Sequence, residues 1–161
     1  MSSVAINRRR SRIPSSAAWV FGTFLALVPA MAAAVFVVNA PWVRPAGAGG
    51  NTEAYMTLTS TEGATLVGVR SDIAGGIFIV TADREKKRVE RLPLPAGDAV
   101  MLQPGASRVR LLRLTRALKL GDRVPLTLAI ERADGKREEI AVDAEVRRRS
   151  PIDDHLHGHA H

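Results

Sequence analysis

Apolar residues form one long run near the N-terminus of the chain. The run extends from Ala17 to Val38, 22 residues without a charge, and Pro29 lies in its middle. A helix needs about 20 apolar residues to cross the hydrocarbon core of a bilayer, and membrane helices tolerate proline. The pattern therefore predicts one transmembrane helix at residues 17–38.

Basic residues before this run predict its orientation. Four arginines lie between Arg8 and Arg12, within residues 1–16. Positive charge beside a membrane span favours the cytoplasmic side, so residues 1–16 are predicted to be cytoplasmic and the rest of the chain to lie beyond the membrane. A cleavable signal peptide with a small-residue site at Ala30–Ala32 is the alternative, and it delivers the remaining chain to the same side.

Short runs of alternating or β-branched residues follow a Pro- and Gly-rich lead-in at residues 41–52. Turn signals separate these runs at intervals of about 8–12 residues, which is typical of an all-β sandwich or barrel. Arg113–Leu120 fits a short helical turn or a loop. The predicted strands are Ala54–Thr59, Thr65–Arg70, Gly76–Thr81, Arg88–Leu94, Ala99–Leu102, Ser107–Leu114, Arg123–Glu131 and Arg137–Val146.

The run Arg123–Glu131 alternates most clearly. One face is predicted to carry Val124, Leu126, Leu128 and Ile130. Asp134-Gly135 then predicts a hairpin turn, and Leu120–Asp122 predicts a second turn.

Charge and residue usage exclude several classes of function. The net charge is +7, but four of the 23 basic residues lie between Arg8 and Arg12, ahead of the apolar run. No basic run is interleaved with aromatic residues, so nucleic-acid binding is not expected. The chain has no cysteine, and its four histidines all lie in the last seven residues. A Ser-His-Asp triad or a zinc site with Cys or His ligands cannot form between residues 41 and 146, so we expect no enzyme.

The C-terminal residues 147–161 are predicted to form a flexible His-rich tail. Histidines alternate with small or apolar residues after Asp153 and Asp154, at His155, His157, His159 and His161. Imidazole suits Cu(II), Zn(II) and Ni(II), and tracts of this kind are typical of metal binding. The predicted cofactor is copper, with zinc as the alternative metal. The alternative without metal is an adventitious polar tail.

Three arginines in one predicted strand allow two interpretations. Arg108, Arg110 and Arg113 alternate in part with apolar residues. The simpler interpretation places them on the solvent face, because charged side chains are normally exposed. The other makes Arg108 and Arg110 a cationic docking face for an acidic partner.

Several segments resemble the periplasmic copper chaperone family that delivers copper to cytochrome oxidase. The resemblance runs from about residue 40 to 146 and rests on Ala40–Pro45 (APWVRP), Glu53–Leu58 (EAYMTL), Leu66–Val69, Ala74–Gly76 and, most strongly, Leu118–Leu128 (LKLGDRVPLTL). It implies a cupredoxin-like β-sandwich at residues 41–146. It also implies a periplasmic domain anchored by a single pass in a bacterial inner membrane.

The resemblance further implies a Cu(I) site made of His, then Met, then His-x-Met. These positions fall here on Val80, on Arg88–Leu92, and on Arg108-Val109-Arg110, while Met56 and Met101 fit none of them. Because guanidinium groups do not ligate copper, we expect this core site to be absent. Some members carry a His- and Met-rich C-terminal extension, which residues 155–161 resemble without its Met.

Two hypotheses of function follow. In the first, a membrane-anchored accessory protein binds copper through its His tail and passes it to a membrane oxidase subunit or to another copper chaperone. In the second, the β-sandwich is a scaffold or assembly factor that binds a protein partner without metal.

Overall fold

The computed structural model describes residues 35–82 and 87–152. Ten strands account for most of these residues. They are β1 (Phe36–Val43), β2 (Thr52–Ser60), β3 (Ala64–Arg70), β4 (Ala74–Val80), β5 (Arg88–Val89), β6 (Leu92–Leu94), β7 (Ala99–Leu102), β8 (Arg108–Leu114), β9 (Arg123–Arg132) and β10 (Arg137–Val146).

The strands form one sheet in the order β5-β4-β8-β2-β1-β10-β9-β3-β6, with β7 also paired to β2. All pairings are antiparallel except that of β1 with β10, where Trp42 lies beside Glu145 and Val43 beside Val146. This parallel pair joins two halves of the sheet, β5-β4-β8-β2-β1 with β7, and β10-β9-β3-β6. The predicted all-β class is confirmed, and the sheet is sandwich-like.

The hydrophobic core draws on both halves of the sheet. The predicted apolar face of β9 is confirmed, since Val124, Leu126, Leu128 and Ile130 are each at most 1% exposed. These side chains belong to one cluster with residues of β2 and β8 from the other half, including Leu58 and Leu111. Burying a side chain of this size contributes about 1.5–3 kcal/mol, so the two halves stabilise each other.

Most predicted strands are present. Ala99–Leu102 and Arg137–Val146 have the predicted bounds, and five others agree to within two residues. The predicted strand Arg88–Leu94 is wrong as a single element. Its first part, β5, pairs with β4 in one half of the sheet, and its last part, β6, pairs with β3 in the other. The chain therefore crosses between the halves at residues 90–91.

Both predicted turns are confirmed. Gly135 has a φ of 81° in the turn between β9 and β10, where the Arg132 amide donates to the Lys136 carbonyl over 2.8 Å. Gly121 has a φ of 86°, and the adjacent Asp122 amide donates to the Lys119 carbonyl over 3.0 Å. A positive φ costs glycine little. Residues 115–120 form a loop, so the alternative of a helical turn there is wrong.

Strand β1 was not predicted. Residues 36–38 were assigned to the end of the transmembrane run and residues 41–43 to the lead-in segment, but all belong to β1. The Phe-Val-Val sequence continues a charge-free run, and periodicity alone does not separate the end of an apolar helix from a buried strand. Residues 17–34 lie outside the described part of the chain. Within the described part, no helix is long and apolar enough to cross a membrane.

A β-bulge in β1 changes which side chains face the core. Asn39 pairs with Thr57 and Trp42 with Tyr55, so one extra residue of β1 lies between the two pairings. Ala40 accommodates it with a φ of 48°. A single extra residue reverses the alternation of side chains along a strand. Val43 therefore points into the core, while Trp42 joins Tyr55 on the outer face, which is the side of the sheet away from the core.

We expect Ala40→Gly to stabilise the domain. A left-handed conformation costs a residue with a Cβ about 1–2 kcal/mol, and the greater freedom of glycine in the unfolded chain offsets about 0.5–1 kcal/mol of the relief. The net gain should be about 0.5–1 kcal/mol in the free energy of unfolding, measured by urea denaturation.

Ala141→Gly is the matched control, because Ala141 is an exposed position within β10 with a negative φ. It should destabilise the domain by about 0.5–1 kcal/mol. Equal effects of the two glycine variants would contradict strain at Ala40.

Candidate functional site

Four residues at the positions of the expected copper ligands lie together on the outer face of the first half of the sheet. Val80 in β4 is directly opposite Arg108 in β8 and also opposite Arg88 in β5. Arg110 lies two residues further along β8, opposite Phe78 on one side and Glu53 in β2 on the other. The expected ligand positions therefore converge, with Arg88 as the member of the Arg88–Leu92 stretch that lies opposite Val80. Three of these four residues are arginine.

Arg108 is bound to a carboxylate on the neighbouring strand. Its Nε donates to Glu53 Oε1 over 2.7 Å, and its Nη1 donates to the Ala106 carbonyl over 3.0 Å. Only 11% of the Arg108 side chain is exposed, against 27% for Glu53. Arg108 lies on the face opposite the core, as the simpler interpretation of the sequence predicts, but its side chain is largely shielded there as the partner of Glu53.

Tyr55 completes this group from two residues along β2. Its hydroxyl donates to Glu53 Oε2 over 2.5 Å, and its side chain is fully buried. The Trp42 ring packs at 4.5 Å from the Tyr55 ring, tilted by 36°, and the Arg44 guanidinium lies 5.7 Å from the same ring. The two oxygens of Glu53 thus accept from different donors, one cationic and one neutral.

Phe78 lies between two other guanidinium groups. Arg88 is 5.1 Å and Arg110 is 6.0 Å from the centre of its ring, distances at which cation–π attraction operates. The Nε of Arg110 is buried and has no hydrogen-bond partner. Arg108 and Arg110 thus face the Glu53 carboxylate, while Arg44 and Arg88 lie against the neighbouring Tyr55 and Phe78 rings.

The titration of Glu53 and Tyr55 reflects this arrangement. Burial raises the pKa of Glu53, but the hydrogen bonds from Tyr55 and Arg108 and the charges of Arg108 and Arg110 outweigh it, so the pKa lies below its usual value of 4.5. Burial, then the hydrogen bond to Glu53, raises the pKa of Tyr55 well above its ordinary range. At neutral pH the group therefore consists of a carboxylate, a neutral phenol and guanidinium cations.

The side chains at this site do not suit copper. Guanidinium groups remain protonated at physiological pH, and Cu(I) prefers thioether or imidazole ligands. Across residues 35–82 and 87–152, no group of three or more His, Cys, Asp or Glu side chains could hold a metal ion. Met56 is buried, and Met101 on β7 is 55% exposed, but both lie outside the ligand positions.

The four predicted metal ligands of the tail, His155, His157, His159 and His161, lie outside the described residues, so their role stays a prediction. Glu53, Tyr55 and Phe78 also belong to the site, and they were not predicted from the sequence. Residues two apart on a strand share a face, so the spacing of Glu53 and Tyr55 was the available signal.

We expect Glu53→Gln to lower the free energy of unfolding at pH 7 by about 1–3 kcal/mol, because it leaves the shielded Arg108 without a counter-charge. A carboxyl with a lowered pKa in the folded state stabilises the fold above its ordinary pKa, and this contribution is lost as the pH falls through the lowered value. The difference between wild type and variant should therefore shrink as the pH falls below the usual carboxyl value of 4.5, as measured by urea denaturation.

Glu139→Gln provides the control, because Glu139 pairs with Arg70 where both side chains are more than half exposed. This variant should lose less than about 1 kcal/mol in the free energy of unfolding. Equal losses in the two variants would contradict the special position of Glu53.

Comparison with known proteins supplies the context for this site. The LpqE-like lipoprotein family model matches residues 36–146, which include all ten strands. No curated protein matches the chain.

Several solved structures share the fold. The apo PCuAC domain from PmoF1 has 26% identity and a TM-score of 0.62, covering 70% of this chain and 92% of that one. The copper-bound PCuAC domain from PmoF2 has 25% identity and a TM-score of 0.59, with the same two coverages.

A third structure comes from Deinococcus radiodurans. The Cu(I) form of its DR1885 protein has 30% identity and a TM-score of 0.55, covering 74% of this chain and 83% of that one. These matches confirm the resemblance to the copper chaperones. The chain therefore belongs to the LpqE-like family, and its β-domain is related to the copper-chaperone PCuAC domains.

Proposed function

We propose that the protein is a membrane-anchored accessory protein of the copper-chaperone class that binds copper through its C-terminal histidines. Its domain lies in the periplasm, and it assists delivery of the metal to a membrane oxidase. The observation that carries the proposal is the substitution of arginine at the core ligand positions, in a domain whose solved relatives include copper-bound forms. The family relationship also confirms that the protein is not an enzyme.

The charge of the outer face supports a metal site elsewhere in the chain. A copper ion beside Arg88, Arg108 and Arg110 would face three fixed positive charges, of which only that of Arg108 is paired with a carboxylate among the described residues. Glu53 is already bound to Arg108 and Tyr55. The tail supplies what the domain lacks, because residues 155–161 contain every histidine of the sequence. Neutral imidazoles are good ligands of Cu(II).

The proposed anchor is the apolar run, of which residues 17–34 precede the described domain. Lipid anchors joined through sulfur need a cysteine, and the sequence contains none. The charge-free run preceded by four arginines is consistent with a single-pass helix.

Replacing His155, His157, His159 and His161 with alanine should abolish copper binding by the full chain. The physical reason is that the variant removes every imidazole in the sequence. Isothermal titration with Cu(II), and in parallel with Zn(II) and with Cu(I) under reducing conditions, measures the loss and identifies the metal.

Asp153→Asn with Asp154→Asn is the matched control, because it alters the same tail and keeps all four imidazoles. This control should retain binding. Undiminished affinity in the histidine variant would contradict the proposal and place the metal elsewhere in the chain.

We expect a Cu(I) site to appear on the outer face when the ligand set implied by the copper chaperones is restored. The variant combines Val80→His, Arg88→Met, Arg108→His and Arg110→Met in the background that lacks the four tail histidines. It removes three positive charges and adds two imidazoles and two thioethers, which are ligands that suit Cu(I). Competition with a chromogenic Cu(I) chelator measures the gain.

A control with Arg88→Leu, Arg108→Gln and Arg110→Leu removes the same charges without adding ligands, and it should bind no Cu(I). If the ligand variant is folded by circular dichroism and still binds no Cu(I), these positions do not form the metal site of this fold.

The second candidate function is a scaffold or assembly factor that binds a protein partner. The excess of arginine over carboxylate among the described residues of the outer face favours it, because Arg108 alone of its arginines has a carboxylate partner there. Arg108 is committed to Glu53, so the docking face predicted from Arg108 and Arg110 would act mainly through Arg110. This role would survive replacement of the four histidines, whereas metal delivery would not.

A further inference from the structure

A cavity of about 530 Å³ lies beside the bulge in β1, at the point where the described chain ends. Pockets of about 300–1,000 Å³ are typical of ligand sites. Its apolar wall includes Trp42 and Met56, both almost fully buried. Met101 and Ile152 also line it and are 55% and 51% exposed. Exposed apolar side chains gathered in one concavity are typical of an interaction site.

Three arginines also line this cavity, and no carboxylate does so among residues 35–82 and 87–152. They are Arg44, Arg148 and Arg149, and all three are exposed. Arg148 and Arg149 form no ion pair with any described residue. An apolar floor surrounded by unpaired guanidinium groups suits a ligand that combines apolar and anionic groups.

A second cavity, of about 270 Å³, shares Arg44 with the first and is also lined by Arg110 and Glu53. Among the described residues, Glu53 is the only carboxylate in either lining, and its charge is balanced by Arg108 at 2.7 Å. Within the described part of the chain, the two cavities therefore present four arginines, at positions 44, 110, 148 and 149, without a carboxylate free to neutralise them.

We propose that these two cavities bind an acidic segment of a partner protein in which carboxylates flank an apolar side chain. The apolar side chain would enter the larger cavity between Trp42 and Met101, and the carboxylates would meet Arg44, Arg148 and Arg149. Guanidinium groups pair with carboxylates in a bidentate geometry, and Arg, Trp and Met are all enriched in protein interfaces. The proposal differs from the predicted Arg108 and Arg110 face, because most of its arginines lie near the end of the domain.

The shape of the larger cavity favours a protein segment over a lipid surface. Trp42 and Met56 lie almost fully buried within a concavity, which a single apolar side chain can enter and the flat surface of a bilayer cannot.

The test is fluorescence anisotropy of the purified full chain with a short fluorescein-labelled peptide of alternating Asp and Leu. We expect saturable binding that weakens with salt, and about tenfold or greater loss of affinity for Arg148→Glu with Arg149→Glu. The matched control is Lys119→Glu with Lys136→Glu, which changes the net charge equally at exposed lysines outside both cavities. It should change the affinity by less than about twofold, because distant surface charges are screened.

Arg44→Gln is a second test variant. It should weaken binding of the peptide even though Arg148 and Arg149 are both retained. Equal binding of a peptide with Asn in place of Asp would overturn the proposal. Binding to phosphatidylglycerol vesicles but not to the peptide would overturn it in favour of lipid. If the peptide binds only after residues 153–161 are removed, the chain's own Asp153–Asp154 segment is the occupant and the partner assignment falls. Copper titration is unaffected by these outcomes, so the two proposals fail independently.

Discussion

The ion pair between Glu53 and Arg108 is the interaction on which the outer face of the sheet depends. A charge with little exposure is costly unless it is paired and hydrogen-bonded. The Arg108 side chain, 11% exposed, meets that requirement through one oxygen of Glu53, while the other oxygen accepts from Tyr55. The guanidinium cation of Arg108 thus occupies a position where related chaperones are expected to supply a copper ligand.

The bulge at Ala40 connects this ion pair to the larger cavity. By reversing the alternation of β1, it places Trp42 on the same face as Tyr55, and the two rings pack together. Trp42 also lines the cavity, and Arg44 lies against the Tyr55 ring and lines both cavities. Because of the bulge at Ala40, the Glu53, Tyr55 and Arg108 group and the apolar lining of the larger cavity lie on the same surface.

The sequence predicts local periodicity well and long-range pairing poorly. The apolar face of β9 and the Asp134-Gly135 turn follow from neighbouring residues, and both are present. The burial of Arg108 could not be predicted in this way, because its counter-charge lies 55 residues away on a strand brought alongside by the sheet. Residues 36–38 were misassigned because an apolar stretch has the same composition at the end of a membrane helix and in an edge of the core. The convergence of Val80, Arg88, Arg108 and Arg110 was implied only by the family resemblance.

The two proposals fit together through the geometry of the chain. Ile152 lines the larger cavity, and the nine residues that follow it reach at most about 30 Å when fully extended. A partner bound by its acidic segment in that cavity would therefore lie within reach of all four histidines. Short tethers give effective concentrations in the mM range, so docking would make transfer of the metal an intramolecular step. Under the two proposals together, the arginine-rich surface of the domain selects the acceptor, and the tail carries the metal ion.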